Sequence, residues 1–171
     1  FSISAIMWSI SLLPFYVLSI CLQSAPTGYA AEHPIPKGLA CHTPMAEHAD
    51  MEKAINPTDS TTYLQIRKGI QGGIYEYSFF YPPLPEGTIW LQCYEAGKNT
   101  LLSAWKIKKK TSQKTKATSH FSCLTENKEF TIYEGDWGEH YAARIEVWFK
   151  DKKGNKRKLL EKFYTVEGWS R

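Results

Sequence analysis

Not one Asp, Glu, Lys or Arg occurs in the first 30 residues, FSISAIMWSISLLPFYVLSICLQSAPTGYA, although the 171-residue chain carries 21 basic and 17 acidic side chains after them. An uncharged stretch of that length makes a poor hydrated surface, so it is set apart from the folded domain and is expected to enter a translocon or a bilayer. Gly28 and Ala30 place small side chains at the third and first positions before a cut, which predicts signal-peptidase cleavage after Ala30. Two other fates fit the same letters. The apolar run to Leu22 is long enough for an uncleaved anchor, and Leu18-Ser19-Ile20-Cys21 approaches the pattern in which Cys21 would be acylated, with Ile20 standing where that pattern wants a small residue. The segment opens on Phe1 without a basic start, so the natural N-terminus is expected upstream. Each fate makes the protein secreted or periplasmic, or holds it to a membrane through residues 1–22 or a lipid on Cys21.

Cysteine is also scarce. Four in 171 residues exclude a disulfide-dense scaffold, and without Cys21 there remain Cys41, Cys93 and Cys123, an odd number. Cys93 and Cys123 both fall in strand-like sequence and are the preferred pair; the alternative is three reduced thiols packed as small apolar side chains.

Local catalytic signatures are missing as well. The chain has no G-x-S-x-G, no H-E-x-x-H, no phosphate-cradling glycine loop and no C-x-x-C, so no catalytic residue and no cofactor is assigned. His33, Cys41, His42 and His48 are metal-ligand types, but their spacing matches no structural zinc pattern, and none is assigned to a metal.

What is present is a globular composition, 43% apolar and 22% charged, with 14% aromatic residues that favour strands over a helical bundle. Residues 31–59 read as a proline-containing linker, in which Thr43-Pro44 is expected to cap a short helix that ends at Asn56-Pro57. From residue 60 to 171 the hydrophobic period is two. Tyr75, Tyr77, Phe79 and Tyr81 oppose Ile74, Glu76, Ser78 and Phe80; Ile89, Leu91 and Cys93 oppose Trp90, Gln92 and Tyr94. Tyr141, Ala143, Ile145, Val147 and Phe149 oppose Arg144, Glu146, Trp148 and Lys150, and "DKKGN" supplies a polar hairpin before a last strand. "LLSAWKIK", "ATSHFSCL" and "EFTIYEG" are expected as three short strands. The fold class predicted is all-β, an antiparallel sandwich of the immunoglobulin or fibronectin kind with seven or eight strands.

Three surfaces stand out. The loop holding Glu134, Asp136, Glu139 and His140 is read first as a structural turn needing Gly135 and Gly138, then as a binding edge with Trp137, and last as a carboxylate pair for hydrolysis. The run "KIKKKTSQKTK" concentrates Lys106, Lys108, Lys109, Lys110, Lys114 and Lys116 without an acid. It is expected as a solvated hairpin loop, with attraction to an anionic membrane or acidic glycan as its functional use. Nucleic acid is excluded as a partner by export and by the lack of aromatic-interleaved basic motifs. Finally, Trp90, Gln92, Tyr94, Arg144 and Trp148 are expected on one outward face, a platform of aromatic and hydrogen-bonding groups. The function expected is therefore non-catalytic binding of a protein or glycan at the cell envelope, with an envelope hydrolase or a membrane-associated basic module as alternatives.

Overall fold

A computed structural model describes residues 28–47 and 62–169. Residues 1–27 of the proposed 30-residue leader and the stretch 48–61, which holds most of the expected helix, lie outside these. Residues 43–47 are described and are not helical; Met45 instead bridges to Arg67.

The period of two is realised as two antiparallel sheets. One has the order β1 (Tyr63–Lys68), β2 (Ile74–Tyr81), β6 (Ser122–Thr131). The other runs β4 (Leu101–Leu102), β3 (Gly87–Glu95), β7 (Tyr141–Asp151), β8 (Lys156–Val166), with β5 (Gln113–Thr115) also on β3. In a pleated strand alternate side chains point to one face. The β3–β7 register sets Ile89 beside Phe149, Leu91 beside Val147 and Cys93 beside Ile145, all buried. Across from them the other sheet contributes Leu64, Ile66, Tyr75, Tyr77, Phe79 and Phe130 to the same core. Each fully buried side chain of this size stabilises the fold by about 1.5–3 kcal/mol. Buried phenols are tied to backbone across the layers: Tyr75 donates to the Glu167 carbonyl at 3.2 Å, and Tyr164 to that of Leu64 at 2.8 Å. The arrangement is that of an all-β sandwich.

Three expectations about elements need correction. "ATSHFSCL" and "EFTIYEG" do not give two strands but contribute to one, β6, whose pairing with β2 shifts register between Tyr77 and Phe79. "LLSAWKIK" is not a strand, because only Leu101 and Leu102 pair with β3 before the chain turns into α2 (Ala104–Thr111). Lys106, Lys108, Lys109 and Lys110 of the lysine run are thus helical rather than part of a hairpin loop, while Lys114 lies in β5 and Lys116 follows it. The third correction concerns the thiols: Cys41, Cys93 and Cys123 form no disulfide. Cys93 points into the core, where burial pushes its thiol far above the ordinary range, whereas Cys123 pairs in register with Phe80, which belongs to the outward set of the other sheet. Opposite facing keeps the two sulfurs apart.

α2 interrupts an edge strand. β4 and β5 flank it in the chain and both pair with β3, so the helix bulges out opposite the middle of β3. The gap would orphan the Leu91 N–H, and a buried donor without a partner is costly. Thr111, itself fully buried, supplies its hydroxyl to that N–H at 2.9 Å, donates to the Ile107 carbonyl at 2.8 Å, and has its own carbonyl accept from Tyr77 at 3.1 Å.

On the opposite flank, residues 28–47 lie against the domain. Tyr29 opens α1 (Tyr29–Glu32), stacks on His33 with centroids 3.9 Å apart and meets Tyr141 edge-on at 5.0 Å. His42 then bonds β8 through Phe163 and Thr165, and Met45 bonds β1 through Ile66 and Lys68. The segment therefore stitches one edge of each sheet. Among the described residues no helix is long and apolar enough to cross a membrane.

Candidate functional site

The start of α2 is held by an uncommon contact set. Ser103 and Ala104 both have positive φ, 51° and 42°, a left-handed conformation that costs roughly 1–2 kcal/mol per non-glycine residue. Glu134 stabilises this turn: its carboxylate accepts from Ser103 N at 2.7 Å and Ser103 Oγ at 2.8 Å, while Ser103 Oγ accepts from Tyr133 N at 2.9 Å. The strand end at residues 131–134 and the helix are thereby fixed side by side.

Between them lies a groove of about 460 Å³ lined by Trp105, Lys106, Lys109, Lys110, Thr131 and Tyr133. Helical spacing explains the helix side, since Trp105 and Lys109 are four apart, as are Lys106 and Lys110, while Ile107 and Thr111 take the buried stripe. Strand alternation explains the other side. Phe130 and Ile132 enter the core, so Thr131 and Tyr133 face out. Trp105 is 63% exposed and Tyr133 43%, and each ring carries a cation: Lys109 Nζ lies 5.2 Å from the Trp105 centroid and Lys106 Nζ 4.0 Å from that of Tyr133. Tyr133 also meets Trp169 edge-on at 5.8 Å.

The residues expected to bind are dispersed over three places. Lys109 and Lys110 line the groove, but Lys108 turns to the far side of the helix, 4.9 Å above the ring of Trp90. That cover, with Trp148 stacked at 6.5 Å, leaves Trp90 on the outward face of β3 yet only 4% exposed. Gln92, Tyr94, Arg144 and Trp148 share this face, where Gln92 sits opposite Glu146. The charged groups there pair with one another, while the buried Trp90 Nε1 has no hydrogen-bond partner among the described residues. Buried Glu146 accepts from Trp148 Nε1 at 2.7 Å and pairs with Arg144 and Lys158 at 3.1 and 3.3 Å; Arg144 also reaches Asn99 at 2.7 Å and covers the Tyr94 ring at 5.0 Å. Trp137 lies elsewhere, 63% exposed, against the β1–β2 turn. Its indole comes so close to Gly72 that a Cβ there would be 2.1 Å from Cδ1.

The loop after Glu134 makes its reversal with Gly135 and Gly138 at φ of 98° and 82°. Glu134 is engaged by Ser103, and Asp136 and Glu139 meet over Gly28, where a Cβ would lie 2.6 and 3.0 Å from their oxygens. A neighbouring hollow of about 340 Å³ takes Glu139 and His140 with Ala30, Ala31 and Pro34, leaving Asp136 out. A paired-carboxylate hydrolase needs two acids on opposite sides of one bond; this hollow has one among its lining residues. Among the described residues no group of three or more His, Cys, Asp or Glu gathers as metal ligands would.

Sequence reasoning missed Trp105 and Tyr133. The available signal was the four-residue recurrence of Ile107 and Thr111, which marks a helix and would have set Trp105 beside Lys109. In comparisons with protein-family models, curated proteins and solved structures, nothing matches the chain.

Proposed function

We propose that this chain is an exported, non-catalytic β-sandwich module of the immunoglobulin or fibronectin type that binds at the cell envelope, and that a glycan occupies the groove between α2 and β6. The observation that carries this reading is the pair of exposed rings, Trp105 and Tyr133, facing a concave space under lysine ammonium groups. Aromatic faces take the C–H faces of sugars, while nearby donors take their oxygens. Export rests on the charge-free first 30 residues. The platform at Trp90, Gln92, Tyr94, Arg144 and Trp148 is a weaker candidate because its charges are already paired with one another.

A glycan array probed with the purified protein and with Trp105→Ala tests the reading. Binding to at least one glycan family, lost or cut about tenfold by the substitution, supports it; a change of that size corresponds to about 1.4 kcal/mol. Array binding that Trp105→Ala leaves untouched places the site elsewhere.

A specific observation also favours a second reading, a basic module on anionic membrane. Ile70, 78% exposed, lies in the β1–β2 turn against which Trp137 packs, and Trp169, which bonds Gln71 of that turn, meets Tyr133 under the Lys106 ammonium. Sedimentation with phosphatidylglycerol vesicles at low salt, reversed by high salt and by replacing Trp137, would support that use. Absence of sedimentation at low salt would dismiss it.

A further inference from the structure

We infer that the ligand of the α2–β6 groove is an acidic polysaccharide, a chain bearing uronate carboxylates, rather than a neutral one. This rests on the glycan reading of the groove and adds the charge class. Both lining rings are already occupied on a face, Tyr133 by the Lys106 ammonium and Trp105 by that of Lys109. A neutral sugar that stacks on the covered face of either ring must displace the ammonium and offers it only uncharged oxygen acceptors in return. A uronate offers both replacements at once, its carboxylate for the displaced ammonium and its apolar ring face for the exposed aromatic.

The groove's own charge agrees. None of its lining residues is acidic, and among the described residues Lys106, Lys109 and Lys110 have no ion-pair partner. This contrasts with the β7–β8 face, where Lys158 meets Glu146 and Glu161. Lys106 and Lys110 stand one helical turn apart, about 6 Å along the axis, so successive acidic sugars of one strand can reach both. Concavity separates this ligand from a bilayer, which presents a broad flat surface to a hollow of about 460 Å³.

The test is calorimetric titration of the purified full chain with hexagalacturonate and with maltohexaose, a neutral chain of the same length, at low and high salt. Four proteins are compared: wild type, Trp105→Ala, the triple variant Lys106→Gln/Lys109→Gln/Lys110→Gln, and Lys153→Gln in the distant β7–β8 hairpin. All replace exposed side chains, and circular dichroism confirms folding. Three exposed ion pairs support a preference of about tenfold for the uronide at low salt. That preference shrinks at high salt and vanishes in the triple variant, while Lys153→Gln keeps it. Trp105→Ala weakens both saccharides. Equal binding of the two chains, unaffected by salt, overturns the acidic assignment and leaves the glycan reading standing. Binding of neither, or binding of uronide that the triple variant and Trp105→Ala both retain, overturns both. Capture by phosphatidylglycerol vesicles without saccharide binding also overturns both and assigns the lysines to lipid.

Discussion

Removing the Glu134 carboxylate should detach the helix that carries the groove. In Glu134→Ala, Ser103 loses both bonds to the carboxylate, at 2.7 and 2.8 Å, and its N–H is left in a place where the residue is only 3% exposed. A hydrogen bond to a charged group contributes about 1.5–3 kcal/mol. Glu134 is half-exposed, which argues for the lower end of that range twice over, about 3 kcal/mol. Fraying of the turn returns part of this, because Ser103 and Ala104 then leave the left-handed region. The net loss expected is about 2 kcal/mol, or a fall in Tm of roughly 4–8 °C for a domain of this size. Glu134→Gln keeps one acceptor oxygen and should lose about half as much. Urea denaturation measures the loss, and hydrogen exchange localises it: amides of Ala104–Thr111, and that of Leu91, which bonds Thr111, should exchange faster while those of Ile145 and Val147 keep their order of protection. A Glu134→Ala protein that melts within 1 °C of wild type, or whose α2 amides are unchanged, would refute the reasoning.

Thr111→Val preserves shape but strands the Leu91 N–H, and should cost about 1–3 kcal/mol in urea denaturation; a neutral result would mean that the donor has another partner. High pH should unfold the protein through its buried phenols. Burial raises the pKa of Tyr75, Tyr77, Tyr141 and Tyr164, and burial with the charges of Glu134 and Glu95 raises Tyr29 to about 12. The unfolded chain releases these protons near pH 10 and the folded one later, so their stability contribution is complete below about pH 10 and is lost as pH rises through the folded values. Phenolate absorbance should therefore show exposed tyrosines titrating first and a second group ionising together with loss of the β-sheet signal; one smooth titration centred near pH 10 with the fold intact would contradict it.

The strands that were legible are those where burial alone decides the pattern. Tyr141 to Phe149 alternates because one face is dry, and the structure buries Tyr141, Ala143, Ile145, Val147 and Phe149 on that face, although Ala142 and Glu146 of the opposite set are covered as well. α2 was hard to read for the converse reason: it buries only Ile107 and Thr111, so six of its eight positions carry no burial signal, and its cations read as a solvated loop. That error hid the candidate site. Trp105 becomes a groove wall only when the helix turns it beside Lys109, and Tyr133 only when Glu134 brings the strand end to Ser103. The covering of Trp90 was equally out of reach, because Lys108 lies over it only if the lysine run is helical. The carboxylate loop was the easier case, since Gly135 and Gly138 sit where the backbone turns positive.

The most direct test of the groove is nitrogen–proton NMR of the tryptophan indoles during titration with an acidic oligosaccharide, the Trp105 signal being assigned by its loss in Trp105→Ala. The account predicts that the Trp105 resonance shifts in step with saturation while those of Trp90 and Trp148 stay still. Shifts at Trp90 and Trp148 with Trp105 unmoved would contradict it and transfer the site to the outward face of the β3–β7 sheet.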